Sequence, residues 1–343
     1  MTVLWTEAAK KRGIGMLDKF FPLYAIVFLL STVITAFAEK RLIPFLSGKA
    51  KQPIYTEGPE WHKAKSGTPT MGGLAFLVAV GISVLFSAVF LFGVDMPDTA
   101  LSLIICLIYA TLNAAVGIID DLTKLKKKEN KGLSAKEKLI LQTILAALFL
   151  YLRALIANDK TNLSFSFGSI ELGFLYYPLS LILLLFIVNC ANLTDGIDGL
   201  ASGVAFSVGV ILFYISASLF SDVAIISSAV IGASVGFLFF NIHPAKVFMG
   251  DTGSLFFGAL LASSFFSLGN PALAIPVCGV YVIEGLSVIL QVVFFKLTRK
   301  RLFKMAPLHH HLEKCGMSEN KICMIAMIVT FILSIPAFIL YLP

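Results

Sequence analysis

Two adjacent carboxylates, Asp120 and Asp121, close a long apolar stretch in the segment VGIIDDLTKLKKK (116–128), and Lys124 follows one helical turn later. Neighbouring like charges repel, and lipid is a poor environment for either of them. The pair therefore needs a cation or a chemical task. Hard carboxylate oxygens beside lysines suit a Mg²⁺ and phosphate site, because Mg²⁺ takes one or two protein carboxylates and fills its shell with phosphate oxygens and water. The neighbouring acid can then serve as a base toward a phosphate or water. The plainer alternative is a helix stop at headgroup level, but it sets both acids against the unfavourable end of a helix dipole.

Four further polar clusters carry chemistry of their own. NLTDGIDGLA (192–201) places Asp195 and Asp198 three apart with Gly196 and Gly199 interleaved. Glycines let backbone approach a ligand closely; the alternative is a turn with a helix cap. A calcium loop would need alternating oxygen ligands and a terminal Glu. NIHPAKVFMGDTGS (241–254) runs from Asn241 to Asp251, just ahead of an apolar run, and free amides at a helix start favour anions. Phe248 in that polar loop suits stacking on a base or anchoring in the membrane interface. MAPLHHHLE (305–313) offers His309, His310 and His311. Zinc is the obvious rival, yet consecutive side chains diverge and no Cys stands at ligand spacing. These imidazoles therefore read as hydrogen-bond or phosphate contacts. KSGTPTMGG (65–73) sets Lys65 beside a glycine-containing loop.

The elements that must position these clusters follow from composition. The chain has 343 residues, 58% hydrophobic and only 14% charged, against roughly a quarter charged in soluble domains. Apolar runs of bilayer-spanning length recur throughout. The expected fold is all-α, one transmembrane domain over residues 1–343, with ten spans at about 20–46, 71–93, 98–119, 136–157, 174–192, 200–220, 222–242, 254–270, 271–298 and 319–341. Turn chemistry marks the breaks at 93–98, 218–222 and 267–271. Residues 163–172 alternate weakly, as in a short hairpin, and the long ninth span is expected to tilt or bend near Gly279 or Gly285. The five cysteines are scattered without metal-ligand spacing and read as free thiols. No cleavable signal peptide is evident. In such a chain the net charge of +7 reports membrane orientation rather than nucleic acid.

Successive loops alternate sides. The set after spans 1, 3, 5, 7 and 9, with the adjoining span ends, holds 21 of the 27 Lys and Arg residues, which places it in the cytoplasm and both termini outside. Lys10, Lys11, Arg12 and Lys19 oppose this assignment; the alternative is a span count off by one there, but the other loops outvote it, and these four residues read as an amphipathic piece on the outer surface. The same odd loops contain all five polar clusters, as one active site assembled on the cytosolic face requires. Most lysines between 124 and 138 read as a basic belt for anionic lipid. A transporter would place ionisable groups near the midplane of related halves; here the acids sit at span ends, apart from an unassigned Glu284.

Together KSGTPTMGG, DDLTK, KGLSAKEK, NLTDGIDGLA, PAKVFMGDTGS and MAPLHHHLE resemble the motifs of the phospho-N-acetylmuramoyl-pentapeptide transferases, within the polyprenyl-phosphate N-acetylhexosamine-1-phosphate transferases. Ile197 stands where Leu is usual and Leu312 where Phe is usual. The resemblance implies transfer of the phospho-sugar-peptide from UDP-N-acetylmuramoyl-pentapeptide to undecaprenyl phosphate in the bacterial plasma membrane, giving lipid I and UMP. It implies Mg²⁺, replaceable by Mn²⁺, held by Asp251 with Asp120 and Asp121. Asp120 would accept a proton from the lipid phosphate or orient it. Lys65, Thr70, Asn192, Leu193, Asp195, Gly196, Asp198, Asn241 and Phe248 would form the nucleoside pocket, with Phe248 on uracil. Lys124, Lys138, His309, His310 and His311 would contact phosphate. A homodimer and a lipid groove beside span nine are also implied. The nearest rival is the sister enzyme using UDP-N-acetylglucosamine, which the histidine loop disfavours.

Overall fold

The computed structural model describes residues 7–50, 65, 67–127, 132–157, 161–218 and 222–341. Lys128, Lys131 and the middle of the turn expected at 218–222 lie outside them. The chain is helical almost throughout: α1 Glu7–Lys49, α2 Gly73–Gly93, α3 Pro97–Lys127, α4 Ala135–Leu152, α5 Tyr176–Thr194, α6 Leu200–Ser218, α7 Val223–Asn241 and α8 Gly250–Ser267. There follow a short α9 Ala274–Val277, then α10 Gly279–Thr298, α11 Leu308–Lys314, α12 Glu319–Leu333 and α13 Ile335–Tyr341. The expected hairpin is present as antiparallel β1 (Asn162–Phe165) and β2 (Gly168–Glu171), with Leu163 opposite Ile170. The basic N-terminal residues, expected as an amphipathic piece on the outer surface, are helical and continuous with the first span.

Among the described residues nine helices are long and apolar enough to cross a bilayer. The remaining expected span, the eighth, is α8, whose polar first turn (GDTGS) and later serines lower its mean hydropathy. Every residue from Thr252 to Phe266 is buried, so this helix meets protein rather than lipid and needs no apolar outer face. Its serines turn back onto the helix: Ser263 and Ser264 both donate to the Leu260 carbonyl. Around it aromatic rings interlock, with Phe76 stacked on Phe257 at 4.2 Å and edge-on to Phe237 at 5.2 Å.

Three boundaries differ from the hydropathy reading. Helix α3 runs eight residues past the expected end at 119, so the paired acids sit inside a helix and are not its stop. The ninth span is interrupted at Cys278, where α9 ends and α10 begins beside Gly279, close to the expected bend. The tenth is divided at Ser334, because Pro336 has no N–H to return to the preceding turn.

Glycines set the tightest helix contacts. A Cβ on Gly73 would lie 2.4 Å from the Gly253 backbone, and one on Gly117 would lie 2.4 Å from the Asp251 carbonyl. Helices α2 and α3 thus both press onto the first turn of α8. Gly232 and Gly236 likewise bring α7 onto the α1 backbone. Gly117→Ala should therefore destabilise by about 1–3 kcal/mol through forced separation of α3 and α8. Gly81→Ala, whose Cβ would meet nothing within 4 Å, should be close to neutral. Thermal inactivation midpoints in detergent check this; equal midpoints for the two variants would contradict it.

Candidate active site

The acids meet where α3, α4 and α8 converge. Asp120 and Asp121 come from the last two turns of α3 and Asp251 from the first turn of α8. Asp121 is deeply buried and accepts from the Thr252 amide at 2.9 Å, the Thr252 hydroxyl at 2.7 Å and the Asp251 amide at 3.2 Å. No side chain of α8 caps its own N-terminus; Asp121 does so from a neighbouring helix, where a negative charge favours the dipole. Gly250, at φ +70°, keeps this approach open, since a Cβ there would lie 2.6 Å from Asp121 Oδ2.

Two lysines complete the centre. Lys124 Nζ lies 2.7 Å from Asp120 Oδ2 and 3.2 Å from Asp251 Oδ1. Lys138 Nζ bonds Asp251 Oδ2 and lies 3.5 Å from Asp120 Oδ1. Lys138 arrives there because Ser134 and Glu137 form a reciprocal capping box that starts α4. The preceding Leu133 amide donates to Asp120 Oδ1 at 2.8 Å. KGLSAKEK thus docks a helix start against an acid of the preceding helix. One oxygen from each of Asp120, Asp121 and Asp251 lies within 4.8 Å of the others. Three carboxylates against two ammonium groups leave a formal negative charge on hard oxygen donors, which fits a divalent cation of the Mg²⁺ type.

The second group lies at the start of α6 and α12. Lys65 Nζ sits between Asp198 Oδ1 at 2.8 Å and Glu319 Oε2 at 2.6 Å. The other Asp198 oxygen faces His243 Nδ1 at 2.8 Å and accepts from the Ala245 amide at 3.0 Å. Asn241 is buried and internally engaged: its oxygen accepts from the Gly199 amide and Ser202 hydroxyl, and its amide donates to the Val247 carbonyl. Asn192 donates to Ser254 at 2.8 Å. Desolvation, reinforced by the charges of Asp251 and Asp121, holds the Asp195 carboxyl well above the usual carboxylate range.

The glycine-containing loop is a clamp. Phe248 donates its amide to the Pro69 carbonyl and accepts from the Gly72 amide, both at 2.9 Å, while Gly73 bonds the Met249 carbonyl. Phe248 is thereby fixed in place with a partly exposed ring, and Thr70 is buried beside it. The three histidines diverge as their adjacency requires. His309 is fully buried and faces Glu284 Oε2 at 3.1 Å; His310 faces Glu313 at 2.7 Å; His311 accepts from the Lys304 amide at 3.1 Å. Among the described residues none of the three belongs to a group of donors close enough to share one ion. His309 Nε2 is buried without a hydrogen-bond partner and points at Gly196, where a Cβ would lie 2.1 Å away.

A single cavity of about 1480 Å³ joins these groups, and every residue expected from sequence lines it except His311. His311 faces Phe303 edge-on instead. Reading the sequence missed Glu319 and His243 as partners of Lys65 and Asp198. It left Glu284 unassigned, although an acid deep in an apolar run was itself a signal.

Residues 102–269 match glycosyl transferase family 4, and residues 65–77 match signature 1 of the phospho-N-acetylmuramoyl-pentapeptide-transferases. The chain is 44% identical to the phospho-N-acetylmuramoyl-pentapeptide-transferase of Halalkalibacterium halodurans, covering 89% of this chain and 92% of that protein. It is 43% identical to that of Bacillus subtilis, covering 88% and 91%, and 40% identical to that of Clostridioides difficile, covering 83% and 87%. The chain belongs to the phospho-N-acetylmuramoyl-pentapeptide-transferase family. As a transferase of this family it carries its acids, lysines and histidine loop in one cavity of a multi-pass helical membrane protein.

The fit of Gly196 against His309 is open to test. Gly196→Ala should lower turnover at least about tenfold by displacing the ring, and His309→Ala combined with it should lose little more than His309→Ala alone, as coupled neighbours do. Initial rates of the single and double variants measure this; fully multiplicative losses would contradict it.

Proposed function

We propose that this protein transfers phospho-N-acetylmuramoyl-pentapeptide from its UDP carrier to undecaprenyl phosphate, forming lipid I and releasing UMP. The observation that carries the reading is the single cavity linking a carboxylate–lysine centre to the Lys65 and Phe248 end. Its volume exceeds the roughly 300–1,000 Å³ of a site for one small ligand, as the meeting of a nucleotide-sugar with a lipid phosphate demands. Family membership supports the same donor and acceptor.

Asp251, Asp120 and Asp121 would hold Mg²⁺, with Mn²⁺ as a substitute, and the bound cation would supply neutralising charge for the diphosphate. The remaining work falls to the chain. Lys124 already faces all three acids and Lys138 two of them, and they turn toward phosphate oxygens when substrate arrives. Asp120 orients the lipid phosphate or takes its proton. An oxygen of that phosphate attacks the sugar-linked phosphorus, the bond from that phosphorus to the bridging oxygen of the diphosphate breaks, and UMP departs with the electron pair. Phe248 stacks on uracil, with Asn192, Leu193 and Asp195 beside it. Asp198 and Asn241 act through the contacts that hold Lys65 and the 241–247 turn. His309 and His310, which line the cavity, serve the phosphate end, and His311 steadies their loop through the Lys304 amide. The catalytic loops face the cytoplasm, both termini lie outside, and the chain works as one domain within a homodimer of the bacterial plasma membrane.

Purified protein should release UMP from UDP-N-acetylmuramoyl-pentapeptide only with undecaprenyl phosphate present, and excess EDTA should abolish release until Mg²⁺ is restored. Asp251→Asn should lower kcat by about 10²-fold or more, as loss of a transition-state charge partner does. Asp120→Asn should lower kcat without a matching loss of nucleotide affinity. Unchanged turnover in EDTA would remove the metal, and preference for UDP-N-acetylglucosamine would move the protein to the sister activity.

A further inference from the structure

Glu319 opens α12, six residues beyond the histidine loop but far in sequence from Lys65 and Asp198, and does not line the cavity. Its carboxylate nevertheless ties together three segments that do. Oε2 accepts from the Asp198 amide at 2.8 Å and from Lys65 Nζ at 2.6 Å. Oε1 lies 3.5 Å from His243 Nδ1. The loop carrying Lys65, the turn carrying Asp198 and the turn following α7 thus converge on one side chain of another helix. Glu319 is nearly buried, and Lys65 retains only 17% side-chain exposure, so these charged contacts are shielded from water and strengthened.

An ammonium has three N–H donors. Two of those on Lys65 go to Asp198 and Glu319, which fixes the stem and leaves the third for an acceptor in the cavity that Lys65 lines. Without Glu319 the ammonium would keep one anchor, and the Asp198 amide would lose its acceptor. We infer that Glu319 is a positioning residue for the nucleotide: it sets the direction of Lys65 and the place of Asp198, and so governs nucleotide affinity rather than the phosphoryl-transfer step. This rests on the reading that Lys65 and Asp198 stand at the nucleotide end. Among the described residues Glu319 forms no hydrogen bond or ion pair with Asp120, Asp121, Asp251, Lys124 or Lys138, which separates the two effects.

Full-length protein in nanodiscs carries the test, with UMP binding by equilibrium dialysis and turnover of UDP-N-acetylmuramoyl-pentapeptide as readouts. Glu319→Gln keeps an acceptor for the Asp198 amide but removes the charge. It should raise the UMP Kd and the nucleotide KM about tenfold, the effect of losing one charge-assisted hydrogen bond. The kcat and the KM for undecaprenyl phosphate should stay within about twofold. Glu319→Asp should recover most of the affinity if the charge is what matters. In Lys65→Ala the further change Glu319→Gln should cost much less than in the wild type, because its main partner is gone. A merely structural role predicts additive losses, a fall in kcat and no rescue by Asp; any of these, or unchanged UMP affinity in Glu319→Gln, overturns the inference. Failure of the wild-type protein to bind any uridine nucleotide would instead bring down the reading of the site, and this inference with it.

Discussion

The site depends on one carboxylate placed at the end of a helix that is not its own. Asp121 takes two amides and a hydroxyl from the first turn of α8. Burying an ionised group costs several kcal/mol unless its lone pairs are satisfied; here they are met by donors that α8 would otherwise leave unbonded. Hydrogen bonds to a charged acceptor contribute about 1.5–3 kcal/mol each, so the arrangement offsets much of that cost while locking α3 to α8. Asp120 and Asp251 meet as a consequence. Their mutual repulsion is then balanced by Lys124 and Lys138, which reach in from α3 and α4.

The backbone had to allow this approach. Gly117 on α3, Gly73 on α2 and Gly253 on α8 remove the side chains that would hold the helices apart. Around that contact α8 is enclosed on all sides, which makes it a rigid post. Both the acid centre and, through Met249 and Phe248, the clamp with Pro69 and Gly72 are mounted on it. The wide cavity is thus bordered by elements mounted on one post.

Much of this was legible in the chain before folding. Hydropathy marked the spans, because a bilayer demands long apolar runs, and alternation of loops brought DDLTK, NLTDGIDGLA and the histidine loop to one face. What hydropathy misplaced has physical causes. Helix α8 is protein-lined and so less apolar than a lipid-facing helix, and α3 continues past its last apolar turn because its polar end is paired. The partners of the functional groups were not legible. Nothing local links Glu284 to His309 or Glu319 to Lys65; each pairing joins remote segments and arises only when helices pack. Asp198 and Asn241, expected from the resemblance at the nucleoside pocket, line the cavity while their polar atoms also hold protein segments together.

Among the described residues two groups have oxygen or nitrogen donors close enough to share one cation: Asp120, Asp121 and Asp251, and Asp198, His243 and Glu319. The second already encloses the Lys65 ammonium, so a divalent cation is proposed for the first alone. Mn²⁺ binding followed by electron paramagnetic resonance, on the full chain in nanodiscs, decides between them. One bound Mn²⁺ per chain is predicted, lost in Asp251→Asn and retained in Asp198→Asn. Retention in Asp251→Asn with loss in Asp198→Asn would contradict the account at its centre.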